Sequence, residues 1–181
     1  ARFGANRGGR KHEGQDIFSK PGTPLVAVRD GIVVDRAKEN STHSGGRGNY
    51  LAIYSPIENR SFVYLHLLKP AVVEKGDRVH AGQLVGLMGC TGSCYGTHLH
   101  FELRTFYTRP EVNGNAPQYG VNCGYECPPG PGYWPMQAPQ HPSNLGWRNP
   151  THAINRRAWP DGVPAGTLVA VSMTAPQSTT L

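Results

Sequence analysis

In the stretch Thr97-His98-Leu99-His100-Phe101-Glu102-Leu103, the six residues from His98 onward alternate strictly between polar and apolar side chains. A β-strand points successive side chains to opposite faces, so this stretch predicts a strand with His98, His100 and Glu102 on one face and Leu99, Phe101 and Leu103 on the other. One face can pack into a core. The other brings two imidazoles and a carboxylate side by side, and two imidazoles so placed can share one metal ion, or one can ligate while the other meets substrate. A surface strand whose two histidines have no common task is the plain alternative.

Working back toward the N-terminus, residues 24–28, 31–35, 49–54, 61–67 and 83–88 are further short runs rich in β-branched and aromatic residues, each of strand length and each bounded by turn residues. The Asp30-Gly31 pair between the first two predicts a hairpin turn there. Residues 39–48 read as a polar surface loop and Lys75-Gly76-Asp77 as another turn. An all-β antiparallel sheet is the fold class that this spacing predicts.

Composition agrees. Among 181 residues there are 23 Gly and 16 Pro, with 38% hydrophobic and only 17% charged residues, which argues against a helical bundle or coiled coil. The length suits one domain with a remainder, or two very small ones. No apolar run approaches the roughly 18 residues of a membrane span, and Ala1-Arg2-Phe3-Gly4 carries no apolar signal region, so stable membrane insertion is not expected. A trimmed chain would begin in the same way. The net charge is +6, and the basic excess falls entirely before residue 110. Such a surface can attract nucleic acid, an anionic membrane or an anionic wall polymer. Without a zinc-finger spacing, an RNA-binding signature or a basic helix, no nucleic-acid partner is expected.

Four cysteines form two spaced pairs, Cys90-Thr-Gly-Ser-Cys94 and Cys123-Gly-Tyr-Glu-Cys127. Two local disulfides, and with them an export route, are the first reading. A four-cysteine zinc site, which usually has tighter pair spacing, and free thiols are the alternatives. Beyond residue 109 prolines crowd the chain and Trp134, Trp147 and Trp159 are scattered among them. The run Pro128-Pro-Gly-Pro-Gly-Tyr-Trp-Pro135 can form neither a helix nor a central strand, because proline lacks the backbone donor.

Two more clusters carry candidate chemistry. His12-Glu13-Gly14-Gln15-Asp16 offers an imidazole and a carboxylate, both acceptable metal ligands; Gly14 and the following Pro21-Gly22 argue against a helix, and a solvated polar turn is the alternative. His66 stands inside the apolar run Tyr64-Leu65-His66-Leu67-Leu68, where a hydrogen-bonded core histidine would be the ordinary explanation. His43, His80, His141 and His152 sit in contexts that read as surface.

Taken together, His12-x-Gly-x-Asp16, Gly22-Thr-Pro-Leu-Val-Ala27, Gly48-Asn-Tyr-Leu, Tyr64-x-His66-Leu, Gly76-Asp-x-Val-x-Ala-Gly-Gln83 and Gly96-Thr-His-Leu-His-Phe-Glu102 resemble the lysostaphin-type zinc endopeptidases that cut peptidoglycan peptides. The resemblance runs from about residue 2 to residue 103. It implies an antiparallel β-sheet domain with a zinc-containing groove, zinc held by His12, Asp16 and His100, and His66 and His98 as the catalytic imidazoles. It also implies hydrolysis of peptide bonds in peptidoglycan cross-links or stem peptides, with peptidoglycan peptides as the partner, an extracellular or periplasmic place in the cell envelope, and a monomer. A non-catalytic wall-binding or regulatory module using the same groove is the alternative. Tyr64 would line that groove or pack beneath it, and the glycines at 45, 46, 48, 89, 92 and 96 would form its wall or simply make turns.

Family domains often close with an Asn-Pro segment soon after the His-x-His strand, and Arg148-Asn149-Pro150 resembles that ending at a displaced position. The implied organisation is a catalytic core over 1–109, a Pro/Gly-rich insertion with the second cysteine pair over 110–147, a return to the core over 148–173 and a flexible tail over 174–181. A Cys90–Cys94 bond would stiffen the loop beside the groove.

Overall fold

The computed structural model describes residues 1–7, 11–37, 46–104, 141–145 and 147–151. Among them, strands β1 (Gln15–Phe18), β3 (Gly31–Arg36), β4 (Asn49–Ser55), β5 (Arg60–Leu67), β6 (Arg78–Val79), β8 (His98–Arg104) and β9 (Trp147–Arg148) form one antiparallel sheet. Its order is β1-β8-β5-β4-β3-β6, and β9 pairs with β8 beyond the stretch taken by β1. Strands β2 (Pro24–Val26) and β7 (Leu84–Leu87) pair in a separate two-stranded sheet. Among the described residues helical structure is confined to short turns such as the 3₁₀ turn Pro142–Leu145. The all-β antiparallel expectation is met.

Strand alternation explains where the core lies. Leu99 and Phe101 of β8 are buried with Phe62 and Tyr64 of β5 and Leu51 and Ile53 of β4, and the same cluster takes in Leu25 of β2 and Val85 of β7. The small sheet therefore covers one face of the large one. Phe62 and Phe101 stack with ring centroids 6.3 Å apart, and Tyr64 meets Phe101 edge-on at 5.2 Å. On the opposite face Ala52, Val63 and Leu65 make a smaller cluster with Ala37 and Tyr50, and this is the face that carries His98, His100 and Glu102.

One expectation changes, and one open alternative is decided. The hairpin across Asp30-Gly31 does not form: β2 pairs with β7, and β3 with β4 and β6. Gly31 is not among the positive-φ residues, so the backbone of a tight hairpin turn is absent, and Asp30 Oδ1 instead accepts from Ala81 N at 2.8 Å. Tyr64 does not line a groove. Its hydroxyl donates to Val26 O and accepts from Val28 N, both at 3.1 Å, which ties the segment after β2 to β5 inside the core. The short strands β1, β6 and β9 carry too little periodicity to be read in advance. The Cys123–Cys127 pairing, His43, His152 and most of 110–181 lie outside the described residues.

Candidate metal centre

Asp16 lies on β1 directly opposite His100 on β8, so the pairing of two strands far apart in sequence sets a carboxylate beside an imidazole. His12, just before β1, enters from a small backbone loop in which Gly4 N donates to His12 O at 2.7 Å and His12 N donates to Ala5 O at 2.9 Å. One oxygen of Asp16, Oδ1, is 3.1 Å from His12 Nε2, 3.0 Å from His100 Nδ1 and 3.6 Å from His98 Nε2. The potential ligand atoms of His12, Asp16 and His100 all lie within 4.8 Å of one another, and all three residues are buried. Gly14 is required by this packing: a Cβ there would come within 2.5 Å of Phe101 O and 2.8 Å of His100 Nε2.

His66 reaches the same place by a different device. In regular alternation Leu65, opposite His100, faces the site and His66 would turn toward the core with Tyr64. Instead the β4–β5 register slips between Asn49 and Leu51, and His66 adopts φ 64°, a rare conformation for a residue with a Cβ. The bulge brings the His66 ring to 4.9 Å from that of His98 and 6.0 Å from that of His100, measured between centroids. Such local backbone strain is characteristic of functional sites.

Each of the four imidazoles has one nitrogen facing an acceptor that lies away from the cluster. His12 Nδ1 donates to Arg2 O at 2.9 Å, His66 Nδ1 to Thr91 O at 2.7 Å and His98 Nδ1 to Gly96 O at 2.7 Å. His100 Nε2 donates to Glu102 Oε1 at 3.1 Å. A carbonyl oxygen can only accept, so His12, His66 and His98 carry their proton on Nδ1 and turn the lone pair of Nε2 toward the site. For His100 the arrangement is reversed, leaving Nδ1 for the cluster. Glu102 is itself held, accepting from Arg104 Nε at 2.6 Å and from Trp147 Nε1 at 2.7 Å.

The electrostatics follow from burial and these bonds. Burial would raise the Asp16 carboxyl, but its close contacts with His100 and His12 outweigh it and hold the group well below the usual carboxylate range; Arg7 Nη2, 2.7 Å from Oδ2, adds a positive neighbour. Glu102 is also pushed up by burial and then held well down, first by the Arg104 charge and then by His100. His100 would be lowered by burial, yet its two carboxylate partners raise it to about 9. Burial lowers His12, and lowers His66 to about 4.

The structure brings His12, Asp16, His66, His98 and His100 together, as the sequence predicts. His80 is exposed with Asp30 3.8 Å away, and His141 is exposed against Ser143. The orienting carbonyls of Arg2, Thr91 and Gly96 carry no side-chain signal and were not foreseen. Neither were Arg104 and Trp147, the latter because its strand follows a long proline-rich stretch.

Comparison with known proteins places this site in a family. The chain is 38% identical over 97 residues to the glycyl-glycine endopeptidase ALE-1 of Staphylococcus capitis, a match covering 54% of this chain and 25% of that protein. It is 37% identical over 95 residues to the peptidoglycan DD-endopeptidase ShyC of Vibrio cholerae, covering 51% of this chain and 20% of that one. The chain thus spans a quarter or less of the length of these two relatives. The solved structure of the antimicrobial peptidase lysostaphin from Staphylococcus simulans superposes with a TM-score of 0.50 at 28% identity, covering 71% of this chain and 53% of that one. The pattern of Peptidase family M23 matches residues 10–116, more than half of the sequence and all five clustered side chains, and the chain belongs to that family.

Proposed function

We propose that residues 1–109 are the catalytic core of a zinc-dependent endopeptidase that hydrolyses peptide bonds in peptidoglycan cross-links or stem peptides. The observation that carries this reading is the convergence of His12, Asp16, His66, His98 and His100, with the ligand atoms of His12, Asp16 and His100 within 4.8 Å of one another. Two imidazole nitrogens and one carboxylate oxygen suit zinc, and three protein ligands leave a position for substrate chemistry. His12 through Nε2, Asp16 through Oδ1 and His100 through Nδ1 would hold the metal. Bound there, zinc supplies Lewis acidity, which polarises a substrate carbonyl and lowers the pKa of water.

The chain's own groups do the rest. His66 and His98 each present Nε2 from a ring fixed at Nδ1, so each can accept a proton from the attacking water or, once protonated, pass it to the leaving amine. Their rings, 4.9 Å apart, are close enough to serve opposite sides of one scissile peptide. Residues 110–147 we assign to an insertion, 148–173 to a return to the core and 174–181 to a tail; the pairing of Trp147–Arg148 with β8 supports that order. The Cys90–Cys94 disulfide and the peptidoglycan endopeptidase relative support an extracellular or periplasmic location; the protein we take to act as a monomer on peptidoglycan peptides. No helix among the described residues is long and apolar enough to cross a membrane.

Digestion of purified sacculi from several wall types tests the proposal. New amine ends at one peptide linkage, found by mass spectrometry, lost with a chelator and regained with zinc, are the expected result and name the bond. Intact walls of every type, with stoichiometric zinc bound, would overturn it. A second expectation concerns Glu102, which holds the His100 ring from behind. Glu102→Gln should weaken zinc binding about 10- to 100-fold in competition with a chromogenic chelator, as loss of a carboxylate behind a ligand histidine does elsewhere. An unchanged affinity would mean that the Arg104-Glu102-Trp147 cluster serves only the core.

A further inference from the structure

His66 and His98 come from different strands, β5 and β8, yet both take their orienting carbonyl from the single loop that joins β7 to β8. Thr91 O receives His66 Nδ1, and Gly96 O, five residues on, receives His98 Nδ1, each at 2.7 Å. The Cys90–Cys94 disulfide closes a small ring that contains Thr91 and ends two residues before Gly96. Cys94 Sγ also lies 3.6 Å from His98 Nδ1.

The two halves of this loop are held differently. Its first half is bonded to the sheet: Thr91 Oγ1 donates to Leu67 O at 2.7 Å and accepts from Asn49 N at 2.9 Å, and Ser93 N donates to Gly46 O at 2.8 Å. Backbone packs directly on backbone here, since a Cβ on Gly48 would fall 2.4 Å from Thr91 O. The second half has no apolar anchor. Tyr95 is fully exposed, Gly96 is exposed, and Cys94 N bonds within the loop to Gly92 O at 2.9 Å. Gly96 lies between two ties to the anchored half, the covalent link from Cys94 back to Cys90 and, two residues further on, the bond from His98 N to Gly89 O at 3.2 Å.

We propose that the Cys90–Cys94 disulfide is a positioning element for the reaction, holding the Gly96 carbonyl so that His98 keeps Nδ1 protonated and Nε2 turned toward the site, while Thr91 holds His66 independently of the bond. This rests on the reading of His66 and His98 as the reacting imidazoles. Both cysteines lie outside the metal ligands, so the effect falls on turnover and not on zinc.

The test is the zinc-loaded Cys90→Ala/Cys94→Ala protein, assayed on a wall-peptide substrate and by ¹⁵N NMR of the histidine rings. The expected result is a kcat about 10- to 100-fold lower, as misplacement of a reacting group by about 1 Å costs, with KM and zinc affinity within about twofold of the parent. In the spectrum His98 should lose its fixed Nδ1–H tautomer while His66 retains its own. Parent-like kcat, or an unchanged His98 tautomer with lowered kcat, overturns the inference. If the double variant does not fold, the parent protein reduced with a phosphine under native conditions gives the same two readouts and decides by the same criteria. Should the parent prove inactive on every wall substrate, the hydrolase reading fails, and the His98 tautomer still decides whether the disulfide positions that ring.

Discussion

His66→Ala is expected to lower kcat for peptide hydrolysis by about 10²- to 10⁴-fold, the span typical of removing a positioned general acid or base, while zinc remains bound at one equivalent. The separation is possible because His66 is not in the His12-Asp16-His100 group and touches the protein through its own carbonyl partner, Thr91 O. His66 also occupies φ 64°, a conformation that alanine tolerates no better than histidine does. His66→Asn separates strain from chemistry, since asparagine enters the left-handed region more readily. Its activity should fall as far as that of the alanine variant, with a melting temperature at or above that of the parent. His98→Ala should match His66→Ala in activity. Steady-state kinetics with zinc quantified on the same samples checks all three, and near-parent turnover in either alanine variant would remove that imidazole from the proposed mechanism.

Asp16→Ala is expected to abolish zinc binding at micromolar protein and with it all hydrolysis. Oδ1 stands 3.1 Å from His12 Nε2 and 3.0 Å from His100 Nδ1, so its loss removes the only carboxylate of the ligand group from between the two imidazoles. A stability cost accompanies the loss. The Asp16 side chain is only 4% exposed, and stripping one member from a buried charged set costs about 3–5 kcal/mol. Asp16→Asn keeps the volume and one oxygen, so it should recover most of the stability and little of the zinc affinity. Chelator competition and thermal melts of the metal-free proteins read the two effects separately. Zinc affinity within a few-fold of the parent in Asp16→Ala would sink the assigned ligand set.

Much of the architecture was legible because alternation is a local signal. Strands β4, β5, β7 and β8 fall where the β-branched runs predict them, and Leu99 and Phe101 occupy the core face opposite His98, His100 and Glu102. What was misread or left open shares one cause. Asp30-Gly31 looks like a hairpin turn, but β2 finds its partner in β7, and a turn motif does not report on competition from a distant strand. Tyr64 belongs to the core, where its hydroxyl bonds the backbone at residues 26 and 28, and no local pattern distinguishes that from a place in the groove.

Sequence by itself determined the fold class and picked out the five side chains that the fold gathers, because residue type, strand period and motif spacing are properties of short stretches. Tertiary structure alone decided how those side chains become a centre. The pairing of β1 with β8 sets Asp16 opposite His100, and a register slip with φ 64° turns His66 out of the core toward them. Each imidazole's tautomer is then set by Arg2 O, Thr91 O, Gly96 O or Glu102. Three of those four partners are backbone carbonyls, which every residue possesses, so only the path of the chain through space selects the ones that act.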